Sequence, residues 1–228
     1  MSNSSLVIQP IIILQYFSIE YLCESFTNES LNYKLLKQKK IIPDNWQVSN
    51  SSQAIGNSKL SLTNGIEIIK QNAVITFSEP LNKNVCENSR ITNIAYKYFL
   101  DDFLLSPKTI YIKFKTFVKF EIDSGVERKA IEDYILSKLT PCNSQDSQFQ
   151  PYQIDLHYFF KIDRASIKFN IQKSELLLPN NQKIPTLMFS GIIPYNIQSS
   201  SEEEIKNIIF SWERDYSTYI SILKEFLS

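Results

Sequence analysis

His157 is the only histidine in the chain, so acid–base chemistry near neutral pH would run largely through it. Asp155 stands two residues earlier in a stretch with strand character. Side chains at i and i+2 of a strand share a face, so this carboxylate is placed to orient the imidazole. A nucleophile would have to come from elsewhere in the fold. One histidine beside Tyr158, Phe159 and Phe160 reads more simply as structural. A metal nuclease would need converging carboxylates and a lysine, and Asp101, Asp102, Glu121 and Asp123 supply the acids. Adjacent carboxylates on a helix or strand point in different directions, however. No acidic-x-lysine pair follows a suitable strand-borne aspartate. No catalytic residue, metal ligand or cofactor is expected from these residues.

Two patterns point to binding. Tyr111, Lys113, Lys115, Phe117 and Lys119 alternate with Ile110, Ile112, Phe114, Thr116, Val118 and Phe120. On a strand this segregates a lysine–aromatic face from an apolar one. Lysines beside aromatic rings neutralise phosphates while bases stack, as single-strand binding surfaces do. Lys161, Arg164 and Lys168 extend the face if their strands lie alongside. The plain alternative is a solvated outer face on which lysine discourages edge-to-edge pairing. Near the C-terminus, Trp212, Tyr216 and Tyr219 recur at helical spacing. They would line a pocket for a small hydrophobic ligand, or belong to the core.

Composition narrows the classes. Lysine plus arginine is 24 and aspartate plus glutamate is 24, so no net charge draws the chain to nucleic acid or anionic lipid, and such binding needs a local patch. The four glycines, Gly56, Gly65, Gly125 and Gly191, are too widely spaced for a Walker or Rossmann phosphate loop. Cys23, Cys86 and Cys142 form no C-x-x-C pair, which disfavours a structural zinc site and a disulfide framework. Free thiols suit a reducing, cytoplasmic setting. The apolar run Leu6–Phe17 has no basic residue before it, contains Pro10, and is shorter than the roughly 20 residues a membrane helix needs. It reads as a strand buried on both faces, with no membrane association.

The elements that must hold these residues follow from periodicity. Short strands are expected over Trp46–Ile55, Lys59–Lys70 and Ala73–Phe77, with a turn at Asn64-Gly65. A helix runs over Ile91–Leu105 and ends at Ser106-Pro107. The alternating segment Thr109–Phe120 fits an edge or surface strand. Ser124 and Glu127 have capping-box spacing and open a second helix that Pro141 stops. Residues 142–151 form a polar loop or hinge. Strands then run through Tyr152–Leu178 and Thr186–Tyr195, the latter ending at or following an edge because of Pro194. Ser201 and Glu204 cap a final amphipathic helix with an apolar stripe from Ile205 to Leu227, about 38 Å long. Each half of the chain has strands followed by a long helix.

In the order of its elements the chain resembles a sporadically distributed family of uncharacterised bacterial proteins. The matching stretches are Asn72–Phe77, Tyr96–Phe103, Tyr111–Phe120, Glu132–Leu136 and Phe210–Phe226. The family's arginine-tyrosine-isoleucine-asparagine-arginine signature is replaced by Lys113–Lys119 (KFKTFVK). The resemblance covers most of the chain and implies a fold, not an activity. The expectation is one α+β domain over residues 1–228, a mostly antiparallel sheet packed against two medium helices and the long C-terminal one. Its expected role is that of a non-catalytic interaction or assembly protein, with a protein partner or self-association. The alternatives, in order, are a nucleic-acid-associated accessory protein and a hydrophobic-ligand carrier.

Overall fold

Among the described residues nine strands pair into a single antiparallel sheet in the order β2-β3-β4-β5-β1-β6-β9-β8-β7. The computed structural model describes residues 9–24, 31–54, 56–81, 89–101, 106–121, 131, 134–135, 155–178, 181–199 and 201–228. The strands are β1 (Gln9–Cys23), β2 (Val48–Ala54), β3 (Asn57–Leu62), β4 (Glu67–Gln71), β5 (Val74–Leu81), β6 (Pro107–Glu121), β7 (Asp155–Lys161), β8 (Ser166–Leu177) and β9 (Lys183–Asn196). The helices are α1 (Tyr33–Gln38), α2 (Arg90–Asp101), α3 (Glu202–Phe210) and α4 (Trp212–Leu227). The expected loop at 142–151, most of the expected helix from Ser124, Asp102, Asp123, Cys86 and Cys142 lie outside the described residues. Of that helix, Ile131, Tyr134 and Ile135 are described, helical and buried.

The two halves mirror each other in topology. Each begins with a 15-residue strand at the centre, β1 or β6. Each then passes through helical residues to the outside, returns in a meander whose last strand pairs with the first, and ends in a helix.

Two strand expectations are corrected. β1 continues to Cys23 and is buried on one face only: Phe17, Ile19 and Tyr21 are fully covered while Tyr16, Ser18 and Glu20 reach solvent. β6 is not an edge strand but pairs with β1 and β9 at the middle of the sheet. Alternation reports one wet face and says nothing about lateral position. Prolines mark where ladders stop. Pro194 on β9 lies beyond the last β8 pair, Lys168–Ile192, and Pro80 on β5 lies beyond the last β4 pair, Glu67–Ser78. A residue without an N–H is tolerated where no neighbour needs one.

All the described helices cover one face, and none covers the other. The strands present Leu60, Ile68, Ile75, Phe77, Phe17, Ile19, Ile112, Phe114, Phe189 and Phe169 to the helices, each at most 2% exposed. Burying one such side chain stabilises by about 1.5–3 kcal/mol. α2 sets Ile91, Ile94, Ala95 and Tyr98 against this layer, and Tyr98 meets Phe77 edge-on. The N-terminus of α2 is held by Glu79, 3% exposed, which accepts from Ser89 Oγ at 2.7 Å, the Arg90 amide at 3.1 Å and Arg90 Nε at 3.0 Å. A carboxylate there satisfies orphan amides and meets the positive end of the helix dipole.

The C-terminal segment is bent instead of continuous. Ser211 separates α3 from α4; its hydroxyl donates back to the Ile208 carbonyl at 3.1 Å and accepts from Arg164 Nη1 at 2.6 Å. Such back-bonding by serine bends helices. Ser201 Oγ accepts from the Glu204 amide as expected, while the Glu204 carboxylate reaches past the cap to the Gln198 and Ser199 amides. α4 seats Tyr219 directly on Gly191: a Cβ there would lie 2.6 Å from Tyr219 Cδ2. Only glycine lets the ring approach the strand backbone this closely.

Candidate functional site

The uncovered face is assembled by register. One row crosses eight strands: Ser61, Glu67, Ser78, Ser18, Lys113, Ile192, Lys168 and Phe159 are successive neighbours from β3 to β7. The next row runs Tyr16, Lys115, Ser190, Asn170, His157, and the one after it Phe117, Met188, Gln172, Asp155. On the other side lies Lys59, Ile69, Thr76, Glu20, Tyr111. With strands about 4.8 Å apart, the seven spacings of the eight-strand row make a surface roughly 34 Å wide.

Charge is divided across this surface. Among the described side chains of β6 to β9 the open face carries Lys113, Lys115, Lys119, Lys161 and Lys168 against Asp155 alone. In the other half the charges are paired. Lys113 Nζ lies 2.7 Å from Glu20 Oε2, which also accepts from Thr76 Oγ1 at 3.1 Å. Lys59 Nζ lies 2.7 Å from Glu67 Oε1, which accepts from Ser61 Oγ at 3.1 Å. Lys115, Lys161 and Lys168 form no ion pair among the described residues. A groove of about 760 Å³ runs over the centre, lined by Ser18, Glu20, Glu67, Ser78, Lys113 and Ser190 among others. Tyr16 and Phe117 also line it and meet edge-to-face with centroids 6.4 Å apart. Burial first, and the Glu67 charge second, raises the Tyr16 phenol above its ordinary range, so it stays a neutral donor. At the outer end Phe159 is 73% exposed.

Tyr111, Lys113, Lys115, Phe117 and Lys119 share this face with Lys161 and Lys168. Arg164 does not join them. It turns to the helical side, where Nη2 lies 2.9 Å from Asp215 Oδ1 and the guanidinium covers the Tyr195 ring. Asp215 is 2% exposed and also accepts from Tyr195 Oη at 2.8 Å, so the arginine compensates a buried charge. Burial lifts the Asp215 carboxyl above its ordinary range, against the opposing hydrogen bonds from Tyr195 and Arg164.

Trp212 and Tyr219 are core residues. Trp212 stacks on Phe17 at 4.7 Å, and Tyr219 stacks on Phe114 at 5.3 Å and donates to the Phe189 carbonyl at 3.1 Å. Tyr216 donates to Gln15 Oε1 at 3.2 Å. None of the three lines the groove. His157 does face Asp155, with Nε2 3.4 Å from Oδ1, and its Nδ1 is 2.6 Å from Asn170 Oδ1. The Asn170 amide in turn donates to Ser190 Oγ at 3.3 Å. The amide therefore stands between imidazole and hydroxyl, an arrangement that does not activate a serine. Asp101 is paired with Lys39 at 2.5 Å. Among the described residues no three His, Cys, Asp or Glu side chains converge on a metal position, and no helix is long and apolar enough to cross a membrane.

Sequence reasoning missed the β1 and β5 contribution, above all Tyr16, Ser18, Glu20, Thr76 and Ser78. The alternation of Tyr16, Ser18 and Glu20 with Phe17, Ile19 and Tyr21 was an available signal for the β1 members. No family model, curated protein or solved structure matches the chain.

Proposed function

We propose that this chain is a non-catalytic binding protein whose open sheet face takes a single strand of nucleic acid. The observation that carries the reading is the set of uncommitted lysines, Lys115, Lys161 and Lys168, interleaved with the rings of Phe117 and Phe159 on a face no described helix covers. Lysines of this kind neutralise phosphates, and each stacked base contributes about 1–3 kcal/mol. A chain with no net charge binds this way only through such a patch. The role suits a cytoplasmic protein, where a thiol such as Cys23 stays reduced. The test is anisotropy of a labelled 20-nucleotide strand over a salt series. Affinity should fall linearly with salt on logarithmic axes, and a Lys115/Lys161/Lys168 triple alanine variant should reduce the slope by about 2–3. Absence of binding at 50 mM salt, or an unchanged slope, overturns the reading.

The second reading is a protein partner or another copy of this chain. It is favoured by β7, which among the described residues pairs only with β8, and by Phe159 and Leu177 at 73% and 61% exposure on β7 and β8. An unpaired edge beside exposed apolar side chains invites strand addition. Native mass spectrometry separates the two: a bare monomer that binds the oligonucleotide supports the first, and a stable homo-oligomer supports the second.

A further inference from the structure

The half of the open face away from the free lysines has a different chemistry. Glu20 and Glu67 stand there among Ser18, Ser61, Thr76 and Ser78, within the same groove. Carboxylates repel phosphate, so this zone is unsuited to direct contact with phosphate groups. It suits groups that donate hydrogen bonds. An ionised carboxylate has about four acceptor positions and no proton to give. In both glutamates one oxygen is committed and the other is not. Lys113 and Thr76 occupy Glu20 Oε2, while Lys59 and Ser61 occupy Glu67 Oε1. Glu20 Oε1 and Glu67 Oε2 hold no hydrogen bond from the described residues. The hydroxyls around them both donate and accept.

We infer that the strand preferred by this face is RNA, selected because Glu20 and Glu67 accept hydrogen bonds from ribose 2′-hydroxyls. The inference rests on the nucleic-acid reading above and specifies its substrate class. The 2′-hydroxyl is the group by which a protein distinguishes RNA from DNA at a given site. Register places the two zones in reach of one strand. Ser18 is the direct neighbour of Lys113, Tyr16 of Lys115, and Glu67 lies three strand spacings from Lys113, roughly 14 Å. Phosphates held by Lys115 and Lys168 leave the sugars of adjoining nucleotides over β1 and β5. Tyr16 and Phe117, between the zones, offer rings for a base. A neutral glycan would also donate to the carboxylates, but it has no use for Lys115, Lys161 and Lys168.

The test compares labelled oligouridylate with oligodeoxyuridylate of 20 nucleotides, which share a base and differ in the 2′-hydroxyl. One or two charge-assisted bonds predict RNA binding tighter by on the order of tenfold. In a Glu20→Ala/Glu67→Ala variant the preference should shrink to within about twofold. The deoxy strand should also bind more tightly than it does to wild type, because Lys113 and Lys59 lose their acidic partners and two repelling charges disappear. A misfolded variant would lose both ligands, and Glu20→Gln, which keeps the side chain's shape, repeats the test with less disturbance. Equal affinity of wild type for the two strands overturns the RNA assignment and leaves single-strand binding standing. Failure to bind either strand removes the nucleic-acid reading and this one with it. Displacement of oligouridylate by maltohexaose overturns the assignment in favour of a sugar site.

Discussion

The same strands make both faces of this sheet, yet the two faces obey different rules. On β6, Ile110, Ile112, Phe114, Thr116, Val118 and Phe120 are at most 2% exposed, while their immediate neighbours Tyr111, Lys113, Lys115, Phe117 and Lys119 reach solvent. Polar groups on the covered face are mostly committed. Thr116 Oγ1 accepts from Gln15 Nε2 at 3.1 Å and lies 2.8 Å from the Tyr219 hydroxyl, and Glu79 holds the start of α2. Polar groups on the open face include lysines and carboxylate oxygens that engage nothing described. The covered face is constrained by packing, so its residues report the fold. Packing does not dictate the lysines, serines and exposed rings on the other side, so the proposed binding role can be tested there without disturbing the fold.

Substitutions can sharpen that contrast. The largest effect is expected at Tyr219→Ala, which removes a fully buried ring from the helix–sheet interface and should destabilise by about 3–5 kcal/mol in chemical denaturation. Glu79→Ala should cost about 2–3 kcal/mol, since it strands the Arg90 guanidinium and the first amides of α2. Gly191→Ala follows at about 1–3 kcal/mol, because the new methyl meets the Tyr219 ring. By contrast, single alanine replacements of Lys115, Lys161 or Lys168 should move stability by no more than about 0.5 kcal/mol while weakening oligonucleotide binding. A loss of stability there on the scale of Glu79→Ala would break the division between the faces.

The subtlest expected effect is a pH dependence. Burial raises the Asp215 carboxyl above the ordinary carboxylate range, so the native state holds that proton more tightly than the unfolded chain does. Between the ordinary and raised values, the native state binds more protons and stability falls as pH rises. Wild type should therefore gain on Asp215→Asn as pH drops through that window in urea titrations, and the difference should be flat above it. The opposite sign would mean that the Arg164 pair outweighs the desolvation.

Much of the fold was legible in the sequence. The β6 alternation, the Asn64-Gly65 turn, the Ser201 cap and the helix beginning near Ile91 all rest on neighbours close in sequence, and local physics determines them. α1 was missed because six residues carry too little periodicity to register. The bend at Ser211 was missed because its cause includes Arg164, 47 residues away. Arg164 was assigned to the wrong side for the same reason, its carboxylate partner Asp215 lying 51 residues on. Lys113 and Lys115 were visible as a pattern, but of the hydroxyl and carboxylate half only the β1 alternation of Tyr16, Ser18 and Glu20 offered a signal. Ser61, Ser78, Ser18 and Lys113 become neighbours only through strand register, which sequence spacing does not encode.

The most direct test of the open-face account is to map the bound surface by nuclear magnetic resonance, titrating the isotopically labelled chain with a short single strand. Shifts should concentrate at Lys115, Phe117, Phe159, Lys161, Lys168 and Ser190 while Trp212, Tyr219 and the rest of the helical layer stay in place. Perturbations confined to the helices, or none at saturating strand, would contradict it.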